Sequence, residues 1–156
     1  MTAKSSPSDT FILFQVENTT YAVSSQHVRQ IEMVDHITPL PNAPEHVEGV
    51  VFTRGQVIPA INLRLRFWLA KAAHTVRSRL IVISHSGRQV GLIVDSAREF
   101  MSIPPDSIQP PPESISNLTG KYLQGIVTIG DRIVLVLDVA EVMNFGATEV
   151  AQAAGA

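Results

Sequence analysis

Apolar and polar positions in this chain fall into short runs with strand-like patterning, not into long helical stripes. Phe11 to Val16, Tyr21 to Ser24, Val47 to Thr53 and Gln56 to Leu63 form a first set of β-branched and aromatic segments. Leu80 to Ser84, Gln89 to Val94, Leu123 to Ile129 and Arg132 to Asp138 form a second. Their length, alternation and composition predict strands. The joints are short and built of turn residues, Glu17-Asn18-Thr19 in one case and His85-Ser86-Gly87-Arg88 in another.

The two sets echo each other. GVVFTRGQVIPAINL, from Gly49 to Leu63, aligns without a gap on GIVTIGDRIVLVLDV, from Gly125 to Val139. The earlier segments repeat at an offset of 69 residues, which carries Tyr21 onto Val90 and Val28 onto Ala97. The later hairpins sit 76 residues apart, so the second half carries a short insertion near Ser114 to Lys121. Proline-rich crossings lie between the hairpins, at Pro39, Pro41 and Pro44 and again at Pro104, Pro105 and Pro110 to Pro112. Each half therefore reads as hairpin, short connecting turn, stiff crossing, hairpin.

Helix is scarce. Ser25 to Gln30 has room for one or two turns behind a serine cap. Asp138 to Phe145 is a better helix, with Asp138 at the cap and Glu141 three residues on. Leu63 to Ala73 reads as either a short helix or an irregular linker. The first ten residues and the stretch from 146 to 156 are polar, small or alanine-rich and read as disordered tails. The folded region is then 11–145, with halves at about 11–70 and 79–145. The sequence leaves open whether strands are exchanged between them. The expected fold is mainly β, two small barrels of about five strands related by internal duplication, with a short C-terminal helix.

Composition narrows the function. There is no cysteine, hence no thiolate nucleophile and no cysteine-bound zinc. The five histidines form no HExxH and no close pair at helical spacing. No GxSxG elbow or glycine-rich phosphate loop occurs. The chain reads as non-enzymatic, with no cofactor and no metal. A net charge of −2 argues against nucleic acid as the main partner. A competing reading, a barrel that binds single strands, rests on Arg64-Leu65-Arg66-Phe67-Trp68, where aromatics beside arginines can stack on bases. A packed linker, with Phe67 or Trp68 buried between the barrels, competes with it in turn. No Asp or Glu occurs between Glu48 and Asp95, an interval holding seven Lys and Arg residues. These are either solvated loop charges or a basic face for an acidic protein partner.

Protein binding is the class that remains. Gly49 to Gly55 is too apolar for a solvated loop, and Arg54 has no acidic neighbour in its own hairpin. Its counterpart in the echo is Gly130. An arginine on a stiff hairpin is available to a partner carboxylate or carbonyl.

These residues resemble a known family. Gly49-Val50-Val51, Arg54-Gly55, Ile58-Pro59, Ile61 and Leu63-Arg64 look like the signature of the CheW chemotaxis coupling proteins. Gly91 to Asp95, Gln109-Pro110, Leu123, Gly125 and the strand into Asp138 follow in the family's order. The resemblance covers about residues 9 to 146. It implies two five-stranded barrels of SH3-like or OB-like type and an adaptor without enzymatic activity. It also implies a place in the cytoplasm, reaching the membrane only through receptors. The implied partners are the regulatory domain of a CheA-type histidine kinase and the cytoplasmic hairpin tip of a chemoreceptor. By position, Arg54 and the adjoining Gly55 match the coupling hairpin. Val28, Gln30 and Ile31 match a segment that contributes beside it, and Gly49, Gly91 and Gly125 match glycines at partner surfaces. Three departures stand out. Gln30 replaces a common glutamate, Phe52-Thr53 and Asn62 replace a usual Asn-Leu and a usual aspartate, and Phe67-Trp68 stands in a region that often holds glycine. They suggest, as an alternative, an adaptor of an auxiliary array such as one governing pilus-based twitching motility.

Overall fold

The computed structural model describes residues 10–114 and 122–143. Residues 1–9 of the expected N-terminal tail, 115–121 of the insertion, the end of the C-terminal helix and the expected tail from 146 lie outside the described residues, while Thr10, expected in the tail, already belongs to the first strand.

The described residues form ten strands. They are β1 (Thr10–Val16), β2 (Thr19–Ser24), β3 (Val28–Met33), β4 (Val47–Thr53), β5 (Gln56–Asn62), β6 (Arg79–His85), β7 (Arg88–Val94), β8 (Ser96–Ser102), β9 (Leu123–Ile129) and β10 (Arg132–Leu137). Eight of these match segments read from the sequence. The other two, β3 and β8, were expected as turn or helix. Of Ser25 to Gln30, the stretch Ser25–His27 forms a 3-10 turn, capped by Ser24, whose hydroxyl accepts from the Gln26 amide. The chain then extends, because Val28 and Ile31 gain a β6 partner and a packed face that an isolated helical turn would lack. In β8 the exposed Arg98, Glu99 and Phe100 hide the strand signal, which comes from pairing with β1.

Two five-stranded sheets result, in the orders β8-β1-β2-β10-β9 and β3-β6-β7-β5-β4. Each takes one hairpin from its own half of the sequence and three strands from the other. The junctions are parallel. Tyr21 pairs with Leu135 and Ala22 with Val136, while Ala60 pairs with Gly91 and Ile61 with Leu92. The offsets of 69 and 76 carry Ala22–Val136 onto Gly91–Ala60, so the echo is reproduced in the hydrogen-bond register. Bulges repeat as well. Arg29 and Arg98 are the unpaired extra residues of β3 and β8, and Glu48 and Gln124 those of β4 and β9.

Three apolar clusters fill the fold. One lies within the first sheet around Leu13, Ala22, Val134 and Val136, and one within the second around Val51, Ile58, Leu80 and Val82. The largest joins the sheets through Phe14, Val23, Ile61, Ile83, Leu92 and Leu137. The central hairpins are therefore buried on both faces. That explains why Phe11 to Phe14 and Leu80 to Ile83 are continuous apolar runs without alternation.

The caps behave as their chemistry demands. Asn62 ends β5 and caps helix α1 (Leu63–Arg66), its Oδ1 accepting from the Leu65 amide at 3.2 Å. Its Nδ2 donates to Glu48 at 2.6 Å in a site where Asn62 is 2 % exposed. An aspartate could cap but could not donate to Glu48, which accounts for the amide here. Asp138 caps the second helix, α2 (residues 139–143), through the Glu141 amide at 3.2 Å.

The proline crossings are seated directly on the sheets. Thr38 pairs with Val50 and Gln109 with Ile126. At these crossings a Cβ on Gly49 would stand 2.1 Å from the Thr38 carbonyl oxygen, and one on Gly125 2.7 Å from that of Gln109. Gly91 meets only the flexible Leu80 side chain, at 2.6 Å. Gly49→Ala should therefore be the most destabilising of the three alanine substitutions, by about 3 kcal/mol, with Gly125→Ala next and Gly91→Ala about 1 kcal/mol. Denaturant unfolding of the three variants checks this order.

Candidate functional site

The β4–β5 hairpin closes through Arg54 and Gly55, both with positive φ (50° and 79°). Two consecutive left-handed residues make the tight turn whose twist suits a hairpin. Gly55 takes this backbone freely, while Arg54 adopts it against its Cβ at a cost of about 1 kcal/mol. In the β9–β10 turn the equivalent position is Gly130, at φ 61°. Ser86 tolerates the same strain in the β6–β7 turn, so the strain alone is not distinctive. What sets Arg54 apart is a long cation, exposed and without an ion pair among the described residues.

The base of this tip is anchored. The Gln30 amide donates to Glu32 and, at 2.7 Å, to the Thr53 hydroxyl, which donates to Glu32 at 2.6 Å. Gln30 and Glu32 belong to β3 and Thr53 to β4, the two outer strands of one sheet. The triangle thus ties these edges together one residue from Arg54. Glutamate at position 30 could not donate either bond. Beside the triangle a polar hollow of about 380 Å³ is lined by Arg29, Gln30, Thr53, Arg54, Gln56 and Gln89. On the outer face of the hairpin Phe52 and Val57 pair across the strands, 75 % and 64 % exposed.

The residues selected from sequence are not all in one place. Gln30, Arg54 and Gly55 gather at the tip. Val28 and Ile31 are half-buried against the cluster between the sheets, as is Ala97, the counterpart of Val28. Gly49 lies under the first proline crossing, Gly91 inside the second sheet facing Leu80, and Gly125 under the second crossing.

The acid-free interval is largely used internally. Arg64 forks onto Asp95 at 3.0 and 2.8 Å, and this bond raises its already high pKa. Arg66 stands 4.7 Å over the Tyr122 ring, Arg79 caps the Val76 and Ser78 carbonyls, and Arg88 donates to Met143. Phe67 is half-buried between Tyr21 (5.4 Å) and Tyr122 (5.9 Å), whereas Trp68 is 77 % exposed. Of the two aromatics expected between the barrels, then, Phe67 packs and Trp68 does not. Together with Leu69 and Leu135 they line a cavity of about 360 Å³ beside Glu17. Tyr21 and Tyr122 were not singled out from sequence. Their signal was the echo, which places Val90 and His46 opposite them.

Burial, followed by the charge of Glu17, lifts the Tyr21 hydroxyl above its ordinary 10.0. The folded chain holds this proton more tightly than the unfolded chain, so the contribution of Tyr21 to stability is lost as pH rises past 10. Tyr21→Phe should flatten the fall in stability between about pH 9 and 11, as measured by urea unfolding at stepped pH.

Comparisons with known proteins agree with this architecture. The family described as the CheW-like domain matches residues 10–146. The chemotaxis protein CheW of Bacillus subtilis is 31% identical over 144 residues, covering 92% of each chain. That of Klebsiella aerogenes is 28% identical over 134 residues, covering 86% of this chain and 81% of its own. The crystal structure of the scaffolding protein TtCheW from Thermoanaerobacter tengcongensis superposes with a TM-score of 0.81 at 28% identity, over 90% of each chain. On the match of residues 10–146, the chain belongs to the CheW-like domain family.

Proposed function

We propose that this CheW-like chemotaxis adaptor works by geometry, holding a CheA-type histidine kinase and a chemoreceptor at fixed spacing without catalysing a reaction. The single observation that carries this reading is Arg54. It is an exposed cation on a strained turn, anchored at its base by Gln30, Thr53 and Glu32, in a chain of this family. A long exposed cation kept at a position where glycine would serve the turn better supports a binding role. Phe52 and Val57 supply apolar area beside the charge, a combination suited to a partner's hot spot.

The kinase regulatory domain meets the Arg54 hairpin. The receptor's hairpin tip, an amphipathic helical pair, takes the seam flanked by Val28, Ile31 and Ala97, where apolar side chains of both sheets approach the surface. Among the described residues no helix is long and apolar enough to cross a membrane. The adaptor works in the cytoplasm and is recruited to membrane arrays through its receptor.

Arg54→Gly separates binding from folding. It should raise stability by up to about 1 kcal/mol through relief of the turn. It should also weaken kinase-domain binding by about 30-fold, the equivalent of a hot-spot loss of about 2 kcal/mol. Arg54→Glu should fold normally and abolish receptor-dependent kinase stimulation. Titration calorimetry against the regulatory domain, a thermal melt of each variant and a receptor-dependent kinase assay check both. Unchanged affinity in the two variants removes Arg54 from the site.

A further inference from the structure

The duplication makes the hollow beside Arg54 one of a pair. The register that repeats in the sheets carries Arg29 onto Arg98, Gln30 onto Glu99, Gln56 onto Arg132 and Gln89 onto Thr20. Those counterparts line a hollow of their own, of about 450 Å³, on the other sheet. The two hollows share a position in the fold and differ in chemistry. The first has Gln30 and Gln56 where the second has Glu99 and Arg132. The second also gains Arg77 from the segment before β6. Three guanidinium groups, from three separate stretches of chain, therefore face one trough that contains a single carboxylate.

That carboxylate is already engaged. Arg132 donates to Glu99 at 3.1 and 3.4 Å, both side chains being nearly half exposed. An ion pair at this exposure contributes little to stability and exchanges readily with solvent or another anion. Arg77 and Arg98 are exposed and donate no side-chain bond among the described residues. The polar floor of Gln15, Thr20 and Ser96 offers further hydrogen bonds.

We infer that this trough is a second protein-binding surface, taking an acidic segment of a partner, and that Glu99 holds the place of one partner carboxylate. The observations favour a peptide over a free anion. The lining guanidinium groups come from three separate stretches of chain, and the anion the trough holds is a side-chain carboxylate. The inference rests on the duplicated geometry and stands or falls independently of Arg54. It also identifies Arg77 as a second member of the acid-free interval, after Arg54, that faces outward for a partner.

The test uses the full chain and a fluorescein-labelled hexaglutamate peptide, followed by anisotropy. The peptide should bind at low salt and weaken as sodium chloride is raised from about 25 to 300 mM, as screening requires. The Arg77→Glu/Arg98→Glu double variant should lose at least about tenfold in affinity. Lys71→Glu, which reverses one charge outside the trough, should stay within about twofold of the parent. Glu99→Gln should bind several-fold tighter, because it frees Arg132 and matches the neutral residue of the first hollow. Circular dichroism establishes that each variant is folded. The inference is overturned if no binding is seen, if Lys71→Glu weakens binding as much as the double variant, or if Glu99→Gln binds no better. Full competition by inorganic phosphate at equal concentration would equally overturn it in favour of a free-anion site.

Discussion

The fold depends on two parallel strand pairings. β2 lies beside β10 and β5 beside β7, and each pairing joins strands from opposite halves of a duplicated sequence. Neither half can complete a sheet alone. The exchange also brings the two hairpins richest in apolar residues back to back, so that Phe14, Val23, Ile83 and Leu92 share one cluster. A chain of 156 residues divided into two independent barrels would leave each with a marginal core. Sharing strands and one central cluster makes a single core of ordinary size.

The proline crossings convert this topology into fixed positions for the surface loops. Each crossing lays one backbone pair on the outer strand of a sheet and needs a glycine beneath it, Gly49 or Gly125. In the first half the triangle of Gln30, Thr53 and Glu32 then joins the two outer strands at the Arg54 end. The proposed spacing role needs this more than it needs affinity, since a contact on a loose hairpin would transmit no defined geometry.

Much of this was legible in the sequence because the duplication supplied an internal comparison. The eight strands with a clear apolar pattern, the Asp138 cap and the equivalence of the two hairpins came from the residues alone. Strands β3 and β8 were missed for one physical reason. Their local signals, serine and histidine before Val28 and charges within Arg98-Glu99, favour turns, and only pairing to β6 and β1 makes them extended. Strand exchange was equally invisible, since an offset of 69 residues has the same form whichever hairpin partners which. At the site, Arg54 emerged from subtracting one copy from the other. The same subtraction, applied to positions rather than to one motif, shows the arginine-lined trough only once the register places Arg77, Arg98 and Arg132 together.

The most direct test of the account is to divide the chain in the 70–78 linker, express the halves separately and follow the unfolding of each by circular dichroism and of their mixture by Trp68 fluorescence as well. Strand exchange predicts that neither half unfolds cooperatively alone and that mixing them restores one cooperative transition near that of the intact chain. A half that folds cooperatively by itself would show that each repeat closes its own sheet, and would contradict the shared architecture on which the placement of both surfaces rests.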